Sequence, residues 1–197
     1  MRIKICGITN LEDALNAVKA GANALGFVFY KKSPRYIEPT KAKEIIDKLP
    51  PFVQSVGLFV NIYAAQADFI ARISGIDIAQ IHFEADNKFY ESLQTRFIEV
   101  IRVKSREDLI GLDPSKYYLV DAFVENYGGE GKRIAIEWFE GIDCSNLILA
   151  GGLNASNLHE LKDLNFYGVD VSSGVEETKG KKSNTKMIEF VKKVNEI

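Results

Sequence analysis

Residues 2–30, RIKICGITNLEDALNAVKAGANALGFVFY, read as a strand, a helix and a second strand. RIKIC (2–6) is a short β-type run. Asn10 to Ala20 then sets Leu11, Ala14, Leu15 and Val18 at helical spacing, and Gly21 follows as a stop. ANALGFVFY (22–30) is nearly continuous in apolar residues, the pattern of a parallel strand covered on both faces. Similar runs continue to the C-terminus: FVQSVGLFV (52–60), DIAQIHF (77–83), RFIEVIRV (96–103), YYLVDAF (117–123), NLILA (146–150) and YGVDV (167–171).

Helix-like segments lie between them. Ile62 to Ser74 places Ala64, Ala67, Ile70 and Ala71 on one face with Gly75 behind. Ser105 to Ile110 opens like a capping box, with Asp108 three residues on. Asn154–Leu164 and Asn184–Val194 complete the set, with shorter stretches at 86–94 and 136–139. Dividing 197 residues among eight units leaves about 25 each, enough for a short strand, a helix of about ten residues and two short loops. This predicts an α/β fold: one small (β/α)8 TIM barrel of parallel strands, a single catalytic domain over residues 1–197. The rival is an open doubly wound sheet. It more naturally uses five to seven strands, and no G-x-G-x-x-G follows the first strand.

Composition narrows the function. Twenty-five basic against 27 acidic side chains give a net charge of −2, without the footprint of a general nucleic-acid binder. No apolar run approaches the length of a membrane span, and MRIKICGITN is unlike a secretory signal. Two cysteines, Cys6 and Cys144, are too few for a disulfide scaffold. A reduced, cytoplasmic protein without nucleic-acid or membrane partners is expected.

In such a barrel, function sits at the C-terminal ends of the strands. That rule selects Cys6, followed by Gly7; Arg35 in KKSPRY (31–36); Gln80 and His82 on one face of strand four; and Asp121. It also selects Gly151-Gly152 after strand seven and Ser172-Ser173-Gly174 after strand eight. Glycines there let backbone amides approach a phosphate closely, although tight turns alone would also use them. A lone cysteine is commonly a small buried hydrophobe, yet a strand-end thiolate can act as nucleophile or general base. Asp121 follows four apolar residues and is either a structural loop anchor or an acid with a perturbed pKa. His82 alone reads more readily as a satisfied core histidine, and Cys144 as structural. No H-x-x-H or C-x-x-C pair points to a metal. Alternation puts Lys4 on the face of Cys6. Its ammonium would either lower the thiol pKa or pair with a deeper carboxylate, leaving amides near Gly7 to stabilise the thiolate.

KICGIT (4–9), GANALGFVFYKKSPR (21–35), VGLFVN (56–61), QIH (80–82), LVDA (119–122), LAGGLNASN (149–157) and GVDVSSGVE (168–176) together resemble the phosphoribosylanthranilate isomerase family from first strand to last. The resemblance implies the third step of tryptophan biosynthesis, an Amadori rearrangement of N-(5-phosphoribosyl)anthranilate to 1-(2-carboxyphenylamino)-1-deoxyribulose 5-phosphate. It implies Cys6 as general base, Asp121 as general acid and Arg35 on the anthranilate carboxylate. Gln80 and His82 would lie against the substrate, and Asp170 near the sugar. Gly151, Gly152, Ser172, Ser173 and Gly174 would cradle the phosphate. It implies no metal and no organic cofactor, and a monomer is expected in preference to a dimer. Other phosphosugar barrel enzymes would call for a catalytic lysine or a histidine metal set, neither of which is evident. A non-catalytic binding barrel would not need Cys6, Asp121 and Arg35 together. Three positions depart from the family pattern: Phe83 for a glycine, GGEG at 128–131 for GGTG, and Ser183 for an aspartate.

Overall fold

The computed structural model describes residues 1–124 and 132–197. β1 (Arg2–Cys6) and β2 (Ala24–Val28) pair in parallel, Cys6 opposite Gly26, and α1 (Leu11–Ala20) runs between them. β3 (Gln54–Phe59), β4 (Ile78–Ile81), β5 (Phe97–Val103), β6 (Tyr118–Ala122), β7 (Leu147–Leu149) and β8 (Gly168–Val171) follow in sequence order. β8 returns to β1, Lys4 opposite Asp170, and closes an eight-stranded parallel barrel. The GGEG departure lies outside the described residues.

Strand alternation divides the apolar side chains into two sets. Ile3, Ile5, Leu25, Phe27, Phe59, Ile81, Val120, Leu149 and Val169 point outward into the main core beneath the helices. Inside the barrel, Ile98, Val100, Leu119, Ile148 and Ala150 form a separate plug, so the lumen is packed rather than open. Each fully buried aromatic, such as Phe27 or Phe190, contributes roughly 1.5–3 kcal/mol of apolar burial.

The first and last helices follow the sequence closely. The Asn10 side chain caps α1 by accepting from Asp13 N at 2.8 Å, and Gly21 ends it at φ 114°. α3 (Ala64–Ser74) stops at Gly75, φ 73°. α5 (Asn184–Val194) is capped by Ser183, whose hydroxyl accepts from Lys186 N.

Elsewhere the structure corrects the expected elements. The interval between β2 and β3, where no helix was anticipated, holds α2 (Pro39–Ile46), started by Pro39 and burying Ala42 and Ile45. α4 (Asn87–Ser92) is a short helix capped by Asp86. After β5, β6 and β7 the helical structure among the described residues is a single 3₁₀ turn each, at Arg106–Leu109, Ile136–Phe139 and Leu158–Leu161. The capping box at Ser105 forms, but it caps one turn only. A two-stranded hairpin, β9 (Glu176–Thr178) with β10 (Lys181–Lys182), follows β8 and had no counterpart in the sequence analysis. Phe83 packs edge-on against Phe89, ring centroids 5.3 Å apart, so this departure fastens the start of the fourth loop to the outer core.

Candidate active site

The C-terminal ends of the strands surround a cleft of about 880 Å³, its mouth included. Cys6, Arg35, Gln80, His82, Asp121, Gly151, Gly152, Asp170, Ser172 and Ser173 all line it. Gly174 stands behind them. A Cβ there would lie 1.9 Å from the Leu153 carbonyl oxygen, so the turns after β7 and β8 touch through its bare backbone.

Cys6 is buried beside Gly26, where an added Cβ would come within 2.6 Å of its sulfur. Lys4 faces the interior with Cys6, as alternation requires, and its Nζ donates to both Asp170 oxygens at 2.9 Å. Burial works against the Lys4 ammonium, but Asp170 and Cys6 together raise its pKa. Of the two roles foreseen for Lys4, pairing with a carboxylate is therefore present, and that carboxylate lies directly opposite on β8. The lowered thiol pKa is not. Burial pushes the Cys6 thiol up, and the pull of Lys4 and Lys182 falls short of reversing it.

Asp121 belongs to β6, which pairs with β5 through Arg102. Burial, reinforced by the Asp170 carboxylate, pushes its pKa up to about 6, against an Ala122 backbone bond and the charges of Lys4 and Arg102. His82 Nε2 lies 3.7 Å from Asp121 Oδ2. Burial, with Arg102 and Lys4 adding to it, takes the His82 pKa down to about 4, so the imidazole is neutral near pH 7. Gln80 Nε2 approaches His82 Nδ1 at 3.4 Å, while Gln80 Oε1 is buried with no partner among the described residues. Gly151 has φ +86°, and a Cβ there would meet Asp121 Oδ1 at 2.7 Å, so glycine lets this turn close on the carboxyl.

Arg35 is buried and bound by Glu176 through both prongs, Nε to Oε1 and Nη2 to Oε2, each at 2.7 Å. Lys182 donates to the same Oε1 at 3.0 Å and to the Ser172 carbonyl at 3.1 Å. Sequence reasoning assigned no role to Glu176 or Lys182. The available signal was Lys179-Gly180, a glycine-bearing turn between two short runs, which folds Lys182 back on Glu176. Among the described residues, no three His, Cys, Asp or Glu side chains are grouped to hold a metal ion, and no helix is long and apolar enough to cross a membrane.

The family profile of N-(5'-phosphoribosyl)anthranilate (PRA) isomerase matches residues 3–193. The N-(5'-phosphoribosyl)anthranilate isomerase of Nitratiruptor sp. is 56% identical over 193 residues, covering 98% of each chain. The solved phosphoribosyl anthranilate isomerase of Thermotoga maritima superposes with a TM-score of 0.91 at 36% identity over the full length of both chains. A solved isomerase in complex with reduced 1-(o-carboxyphenylamino)-1-deoxyribulose 5-phosphate gives 0.86 at 33% identity, again over both full chains. By its sequence from first strand to last and by its barrel, this chain belongs to the N-(5'-phosphoribosyl)anthranilate isomerase family.

Proposed function

We propose that the chain converts N-(5-phosphoribosyl)anthranilate to 1-(2-carboxyphenylamino)-1-deoxyribulose 5-phosphate, with Asp121 as general acid and Cys6 as general base. The observation that carries this reading is the pair itself: a carboxyl held at about 6 and a buried thiol line one cleft, with Lys4 on the thiol's own strand bonded to Asp170 on the neighbouring β8. Protonated Asp121 gives its proton to the furanose ring oxygen. The C1–O bond breaks as the anthranilate nitrogen lone pair forms a C1=N bond, leaving a protonated Schiff base. The Cys6 thiolate removes the C2 proton, whose bonding electrons form C1=C2 and neutralise the iminium. Tautomerisation of this enolamine leaves a ketone at C2. Every step is a proton transfer or bond shift within one substrate, so the mechanism needs neither metal nor cofactor.

The remaining residues are assigned by charge and shape. The amides of Ser173 and Gly174 open a 3₁₀ turn and have no carbonyl within it to bond, which suits them to phosphate oxygens alongside Gly151, Gly152 and Ser172. Arg35 takes the anthranilate carboxylate with the Nη1 donors outside its Glu176 pair. Asp170, Gln80 and His82 face the sugar and the ring. All these groups come from one chain, so a monomer suffices for catalysis, and the thiol suits a reducing cytoplasm. Adding N-(5-phosphoribosyl)anthranilate to the purified protein should quench its anthranilate fluorescence at enzymatic rates. Fluorescence decaying no faster than in buffer would refute the assignment.

A further inference from the structure

Resting on that assignment, we propose that Lys182 is a positioning residue for carboxylate recognition: by sharing Glu176 with Arg35, it leaves a net positive charge on the side of the cleft that receives the anthranilate carboxylate. The geometry poses a problem that Lys182 resolves. A guanidinium gripped through both prongs by a carboxylate is a neutral pair, and a second carboxylate approaching it meets attraction and repulsion of similar size. Arg35 and Glu176 form such a pair, with side chains only 8% and 5% exposed. Lys182, 0% exposed at its side chain, places a second cation 3.0 Å from Glu176 Oε1. Two cations then face one anion, and the Arg35 charge is no longer cancelled.

Lys182 is held there at a cost. Burial lowers its pKa, and the Glu176 carboxylate only partly makes this good. Its own amide donates to Asp13 Oδ2 at 2.9 Å, which ties β10 to the start of α1, and Gly180 N–H leans on Glu176 Oε1 at 3.3 Å. The ammonium also bonds the Ser172 carbonyl, so the turn proposed for the phosphate rests on the same cation. A hairpin needed only to cover the barrel would not require a buried lysine at this point. Methionine would fill the space without the desolvation.

The test compares kcat/KM for N-(5-phosphoribosyl)anthranilate with that for N-(5-phosphoribosyl)aniline, which lacks the carboxylate. Comparing this ratio between variants cancels the constant difference in amine basicity of the two substrates and any change in general activity or stability that a merely structural role would produce. The wild-type ratio should exceed that of Arg35→Met, which sets its floor, on the order of 10²-fold, the worth of a charge-assisted contact. Lys182→Met should lower the ratio about tenfold. The double variant Glu176→Gln/Lys182→Met, which removes both opposing charges and leaves Arg35 cationic, should return it to within about threefold of wild type. An unchanged ratio in Lys182→Met, or a double variant as unselective as the single, would overturn the proposal. Should Lys182→Met not fold, Lys182→Gln, which removes the charge and keeps an amide donor, is read in its place: a ratio lowered about tenfold supports the proposal and an unchanged ratio refutes it. Wild-type protein inactive on both substrates would instead refute the isomerase assignment, and this proposal with it.

Discussion

At the scale of single residues, the cleft sets Cys6 and Asp121 against the protonation states that their proposed roles need. Burial keeps the proton on the thiol above its ordinary value near 8.5, while Asp121 gives its proton up at about 6. The reactive form that the proposal requires has one proton on the pair, placed on Asp121, and is a minor species between those limits. The dependence of kcat/KM on pH should therefore be a bell. It should fall below about pH 6, where both groups are protonated, and fall again above the thiol pKa, where neither is. A profile flat from pH 5 to 10 would contradict this. Stability should respond to the same carboxyl. Its folded pKa is raised above the unfolded value of 3.8, so its contribution is intact below about pH 4 and is lost as pH rises through 6. The full shift corresponds to roughly 3 kcal/mol; a side chain 24% exposed to water reduces that to about 1–2 kcal/mol. Asp121→Asn removes the buried charge and should melt about 3–6 °C above wild type at pH 7.5, the difference closing at pH 4. Differential scanning calorimetry across that range measures it. Both partners were legible in the sequence because strand ends in a barrel point at function. The sign of the Cys6 shift was not, because it depends on how deeply the closed barrel buries the thiol against the pull of Lys4 and Lys182.

At the scale of elements, long apolar strands announced themselves and the short connectors did not. α2 has eight residues and turns only Ala42 and Ile45 fully inward, too weak a pattern to separate from a loop around Pro39. Asn154–Leu164 has a helical spacing, yet only Leu158–Leu161 coil, because Asn157 spends its side chain on the Gly152 carbonyl and the Asn154 amide. The turns after β7 and β8 behave as one element, joined where Gly174 meets Leu153. Gly174→Ala should force them apart, raising KM at least tenfold with a smaller change in kcat and costing about 1–3 kcal/mol of stability. Phosphate titrated into wild type and variant while activity is followed provides the control. Inhibition should weaken in the variant, and equal inhibition constants would remove these turns from phosphate binding.

At the scale of the whole molecule, closure of β8 onto β1 creates the site. It brings Lys4 to Asp170, sets Cys6 across the mouth from Asp121, and lets the hairpin that follows reach back to Arg35. Eight strands and their order could be counted in the sequence. The buried ion pairs could not, since the partners Arg35 and Glu176 are 141 residues apart and meet only in the closed barrel. The division of labour between acid and base is tested most directly by single-turnover rates of Cys6→Ser and Asp121→Asn on bound N-(5-phosphoribosyl)anthranilate. Each should slow ring opening and isomerisation by at least about 10²-fold while still binding substrate. Chemistry within a few-fold of wild type in either variant would contradict its assigned role.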